Sequence, residues 1–209
     1  MKTHILKLLQ LKQLYKRVSC GEQYTNTFHH PSQPQAALEN NLESIIKNCS
    51  LCNRIKHCKE PSFGILNPQS QLCFVTEIPL VDEKGVFIQN KSALMIQNII
   101  HNVFRLQMDH ISLLSLVKCD AHNPYLDKSN ILSCMGFCLT QLQKITPKVC
   151  ILLGNQVAEH ILGQRLEHSR ILWHNNKKFL ITHSLNELVR NPSLKKEAHN
   201  DFLIAKGQL

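Results

Sequence analysis

Nine cysteines occur in this chain of 209 residues, and two of them, Cys49 and Cys52, form a Cys-x2-Cys pair. That spacing lets two thiolates converge on one metal ion or cluster. Cys119 follows an apolar run, and Cys134 comes fifteen positions later, near the start of a helical pattern. A strand end and the start of the next helix share one edge of a sheet, so these two can meet. The four read as one metal centre. Cys58 and its neighbour His57 are rivals, because Cys49, Cys52, His57 or Cys58 could build a local zinc site. Cys73, Cys138 and Cys150 fall in apolar stretches and read as core thiols. Cys20 is given no role.

The elements that must position these residues show as a rhythm of apolar runs and helical stripes. Strands are expected at Leu72–Glu77, Ile111–Val117, Val149–Leu153 and Phe179–Thr182. Helices are expected at residues 38–48, Ser92–Leu106, Asn130–Ile145, Asn155–Leu162 and Ser193–Ala205. Such alternation predicts a three-layer α/β/α fold with a central, mainly parallel four-stranded sheet. Ligands in such folds bind beyond the carboxyl ends of the strands. The segments that matter are therefore Glu77–Gly85, Lys118–Asn123, Gly154–Asn155 and His183–Asn186.

Composition narrows the classes. Hydrophobic residues make up 43% and charged residues 19%, which is too apolar for a disordered chain. The net charge of +9 favours anionic partners such as nucleic acid. The surplus of Lys and Arg lies towards both ends of the chain and the middle is nearly neutral. No stretch approaches the ~18 apolar residues of a membrane span. Residues 3–18 read as a basic amphipathic helix rather than a secretory signal, and residues 21–40 as a polar linker. The chain is expected to divide into residues 1–40 and a domain over 41–209. A cytoplasmic location is expected, where thiols stay reduced.

The ordered motifs resemble the iron–sulfur uracil-DNA glycosylases, family 4 and its relatives, from about Cys49 to about Ala205. The resemblance starts at Cys49 and Cys52. It continues through Thr76-Glu77-Ile78-Pro79-Leu80, where the family has Gly-Glu-Ala-Pro-Gly, and through Asp82, Glu83, Gly85 and Phe87. Ser115-Leu116-Val117-Lys118-Cys119 stands for Asn-x-x-Lys-Cys, and Cys134 for a cysteine of the next helix. Pro147, Lys148, Leu153 and Gly154 match the third-strand motif. His183-Ser184-Leu185 and Arg190-Asn191-Pro192 match the last loop and tail.

The resemblance implies a 4Fe–4S cluster on Cys49, Cys52, Cys119 and Cys134, held in a structural role. It also implies hydrolysis of the bond between uracil, or a related deaminated base, and deoxyribose. Glu77 would be the catalytic carboxylate, with Asp82 and Glu83 as second candidates. Phe87 would stack on the flipped base. His183 would donate to the departing base. Ser115, or the amide of Asn155, would read the base edge. Ser184, Leu185 as a wedge, and Arg190 with Lys195 and Lys196 would meet DNA. The expected partner is single- or double-stranded DNA, with no membrane, and the chain is expected to act as a monomer. The pattern departs from the family at Thr76, Leu80, Gln89, Ser92, Ser115 and Ser184. A hydroxyl at Ser115 offers fewer fixed partners than an amide. Three readings are open: a glycosylase, a catalytically impaired DNA-binding member of the same superfamily, and a zinc-binding basic interaction protein.

Overall fold

In the computed structural model Lys12, residues 42–164 and residues 169–209 are described. The chain divides into two units, Met1–Leu38 and Glu39–Leu209. The expected helix over 3–18 and linker over 21–40 lie outside the described residues, apart from Lys12, which is helical. The second unit holds the sheet and the helices that cover it.

Three apolar runs form strands buried along their whole length: β1 (Leu72–Thr76), β2 (Ile111–Ser115) and β3 (Val149–Leu153). A run apolar on both sides of the pleat fits a strand covered on both faces. Two further strands, β4 (Ile171–His174) and β5 (Lys177–Thr182), complete one sheet in the order β2-β1-β3-β5-β4. All pairs are parallel except β4 with β5.

The sheet thus has five strands rather than the expected four. The additional strand, β4, joins β5 through Asn175 and Asn176, both at positive φ (48° and 59°). That turn matches the right-handed twist of a hairpin, and asparagine tolerates it better than most residues. The mainly parallel character stands.

Alternation along the strands divides the core. Leu72 and Phe74 face one layer with Ala93, Ile96, Phe104 and Phe202. Cys73 and Val75 face the other with Cys138, Leu142, Ala158 and Ile161. A short helix, α1, covers residues 42–47. The first layer holds α2 (Lys91–Asn98) and α6 (Lys195–Lys206). The second holds α3 (Lys128–Gln143) and α4 (Asn155–Leu162). The helix expected over Ser92–Leu106 is α-helical to Asn98 and widens to a π-helix over Ile99–Phe104, ending on Arg105 in the left-handed region. One helix, α5 (Leu185–Arg190), was not expected. Its Ser184 and Glu187 form a reciprocal capping box, which satisfies two of the amide donors a helix start leaves open.

Candidate functional site

Glu77 stands one residue past β1, and its carbonyl accepts from the Val117 amide at 3.2 Å. Its carboxyl lies over Gly154, at the end of β3, where φ is +110°. A Cβ on Gly154 would stand 2.8 Å from Glu77 Oε1 and 3.0 Å from Ser184 Cβ. Glycine at this position therefore supplies both the backbone angle and the space for the carboxyl. The ends of β1, β3 and β5 meet here. Burial pushes the Glu77 carboxyl up to about 7, the nearby Glu187 carboxylate pushes the same way, and a hydrogen bond with Asn186 opposes them. A group so poised can hold or release a proton near neutral pH. Beside it is a cavity of about 10 Å³ lined by Thr76, Glu77, Leu80, Leu153, Leu185 and Asn186 among others. That is room for about one water molecule.

The other expected site residues fall around this point at different depths. His183 follows β5, is half-buried, and sets Nε2 3.2 Å from Glu197 Oε2 on α6. Ser115 is buried and paired in register with Thr76, one residue before Glu77. Phe87 is half-buried against the first core layer, on a loop closed by a bridge to Val81. None of these three lines the small cavity. Asn155 is exposed at the start of α4, next to Gly154. Asp82 accepts the amides of Lys84 and Val86 through Oδ1 and so shapes the Phe87 loop. Ser184 is buried as the cap of α5, and its hydroxyl accepts the Glu187 amide. Leu185 is buried in the first core layer. Arg190, Lys195 and Lys196 lie at the end of α5 and the start of α6, and all three are exposed.

The cysteines gather elsewhere. Cys134 faces inward on α3 with Ile131 and Cys138. Cys119 lies just past the edge strand β2 and is buried. Burial pushes the Cys119 thiol far up, with Cys58, Cys134 and Cys52 close enough to add to the effect. Burial likewise raises the Cys134 thiol to about 11, against the opposing pull of Lys118, with Cys49 and Cys52 also in reach. Five thiols thus share one neighbourhood, with Cys58 within hydrogen-bonding reach of Cys119. Among the described residues, no three His, Cys, Asp or Glu side chains stand close enough to hold a single metal ion. Cys73, Cys138 and Cys150 are fully buried core thiols, as their apolar surroundings predicted.

Several residues around these sites carried no obvious sequence signal, and one, Lys118, showed only as the lysine of the Asn-x-x-Lys-Cys match. Arg54, buried two positions past Cys52, bonds the loop that follows Cys119. Lys118 is fully buried, and its Nζ donates to Ser115 O at 2.8 Å and Gln141 Oε1 at 2.6 Å. Glu197 and Asp201 sit four positions apart on α6 and reach His183 and Thr182. Asn186 and Glu187 were findable, because Ser184-x-x-Glu187 is a helix-start pattern.

The model of the family described as "Uracil DNA glycosylase superfamily" matches residues 63–206. A type-4 uracil-DNA glycosylase from Sulfurisphaera tokodaii is 23% identical over 181 residues, covering 79% of this chain and 82% of that protein. The family match spans all five strands, the Glu77 and His183 loops and two of the gathered cysteines' elements, β2 and α3, and on this ground the chain belongs to the uracil DNA glycosylase superfamily.

Proposed function

We propose that this chain is a DNA glycosylase that hydrolyses the N-glycosidic bond of uracil or a related deaminated base in DNA. The observation that carries the reading is the Glu77 carboxyl, set at the joint ends of β1, β3 and β5 with its proton held near neutrality. Bond breaking leaves positive charge on the sugar and negative charge on the base. Ionised Glu77 stabilises the sugar and orients a water molecule, whose oxygen bonds to the sugar carbon while its proton passes to solvent or to the base. His183 donates to the departing base and Phe87 stacks on it. Arg190, Lys195 and Lys196 fit contacts to phosphate.

The same reading assigns a 4Fe–4S cluster to Cys49, Cys52, Cys119 and Cys134. Soft thiolates from three separate segments are the donor set such a cluster takes. A cluster spreads its ligands over several irons, so its thiols stand wider apart than those around one ion. Those four cysteines would let a bound cluster join α3, the segment after β2 and the segment before β1. The reaction uses none of its chemistry. Such a centre, with eight free cysteines among the described residues, fits the reducing cytoplasm.

One observation favours the second reading, an impaired member that binds DNA. The cavity beside Glu77 is about 10 Å³, far smaller than a pyrimidine ring, and Leu80 stands in its wall where the family has glycine.

The test is excision of uracil from single- and double-stranded DNA by protein purified without oxygen. Expected are about four iron atoms per chain and release of free uracil. His183→Ala and Phe87→Ala lower the rate, His183→Ala by ~100-fold or more. Retained DNA binding with no release of any deaminated base supports the second reading. Stoichiometric zinc without iron overturns the cluster.

A further inference from the structure

Arg54 is a buried cation with one nitrogen that finds no hydrogen-bond partner among the described residues. It is only 5% exposed, in a 3-10 helix that begins directly after Cys52. Nη1 donates to Tyr125 O at 2.8 Å. Nη2 donates to Asp120 O and Asn123 O, both at 2.8 Å, and lies 3.4 Å from Cys119 O. The fork thus binds the loop after Cys119 to the segment after Cys52. The third nitrogen, Nε, is buried and has no hydrogen-bond partner among the described residues. The Arg54 charge is paired with the buried Asp120 carboxylate, 3.8 Å from Nη2, which leaves Nε itself without an acceptor. Buried charges and buried N–H groups are normally satisfied. The surroundings supply carbonyls for the tips of the fork, but no acceptor for Nε.

We propose that Arg54 is a non-cysteine contact of the metal centre, its Nε–H donating to a sulfur of the cluster or of a ligating thiolate. The inference rests on the iron–sulfur reading of the four cysteines. A four-iron cluster on four thiolates is anionic and offers sulfur acceptors, which are what Nε lacks. Hydrogen bonds to sulfur and nearby positive charge favour the more negative, reduced state, so Arg54 raises the reduction potential. The same side chain holds the two cysteine-bearing segments together. It does both only as arginine, because lysine carries the charge without the planar fork.

The test compares wild type, Arg54→Lys and Arg54→Met, each purified anaerobically as the full chain and reconstituted with iron and sulfide. Iron content, Fe–S stretching frequencies by resonance Raman and the midpoint potential are read. Arg54→Lys is expected to keep the cluster, with shifted Fe–S frequencies and a lower potential. Arg54→Met is expected to show a lower potential still and faster loss of iron to a chelator. If both variants keep the wild-type frequencies and potential, Arg54 only fastens the loop and the proposal is overturned. If Arg54→Met fails to fold, Arg54→Lys alone decides between the two outcomes. Wild type that takes up no iron overturns the cluster reading, and this contact with it, which is a different result from variants that hold an unchanged cluster.

Discussion

Glu77 shows how one side chain joins stability to chemistry. Its folded pKa of about 7 stands above the ordinary 4.5 of a free carboxyl. Between those values the folded state keeps a proton that the unfolded chain has lost, so stability falls as pH rises through that window. Glu77→Gln removes this dependence. The variant should match wild type below pH 4.5 and exceed it by roughly 3 kcal/mol above pH 7. Urea unfolding at pH 4 and pH 8 checks this, and an equal difference at both would show that the carboxyl is not held protonated by the fold. Excision should behave in the opposite sense, rising with pH as Glu77 ionises and failing in Glu77→Gln. The residue itself was legible, since a carboxylate just past an apolar strand is where such folds place a ligand. Its environment was not. Asn186 and Glu187 act on it from a helix of six residues whose start shows only in the Ser184–Glu187 pattern.

Among the elements, α6 positions the loop that carries His183. Thr182 Oγ1 donates to Asp201 Oδ2 at 2.6 Å, and Ser169 Oγ donates to Oδ1 of the same fully buried carboxylate. One turn earlier Glu197 reaches His183. Asp201→Ala leaves two hydroxyls without their acceptor and should cost about 3 kcal/mol. Asp201→Asn keeps an acceptor oxygen and should cost less. Urea midpoints decide the order, and equal losses would mean that helix packing rather than the carboxylate fixes the loop. Periodicity revealed α6 as a helix, but a sequence cannot show which polar residues a terminal helix turns inward. The solvent-facing Lys196 and the buried Asp201 look alike as charged letters. The strands were legible where they are apolar throughout, and β3 falls on the expected residues. Strand β4 was missed because Ile171–His174 is short and only half-buried at the sheet edge. Its one clear signal was the Asn175-Asn176 turn.

For the whole molecule, strand order separates the two sites. β2, which leads to Cys119, lies at one edge, while Glu77, Gly154 and Ser184 follow the adjacent strands β1, β3 and β5. The edge is joined to the rest through Lys118, bonded to Ser115 and Gln141, and through Arg54, whose bond to Tyr125 spans 71 positions of sequence. Contacts of that range leave no local pattern, which is why Arg54 went unread, while Lys118 showed only as a motif residue and not as a fastening. If the proposed cluster is bound at that edge, the separation dictates what its loss would do. A link between Cys52 and Cys119 closes a long loop, and such closure is worth on the order of 4 kcal/mol. Its loss should fall first on the segments it ties. Chelator-treated protein under reducing conditions should therefore exchange amide hydrogens faster in residues 42–58 and 119–134. β3 and β5 should stay protected, because their apolar packing owes nothing to the thiols of the proposed centre. Exchange mass spectrometry at matched pH, before and after chelation, reads this directly. Protection lost evenly across all five strands would mean that the metal centre holds up the entire sheet, and the division between a structural edge and a chemical middle would have to be given up.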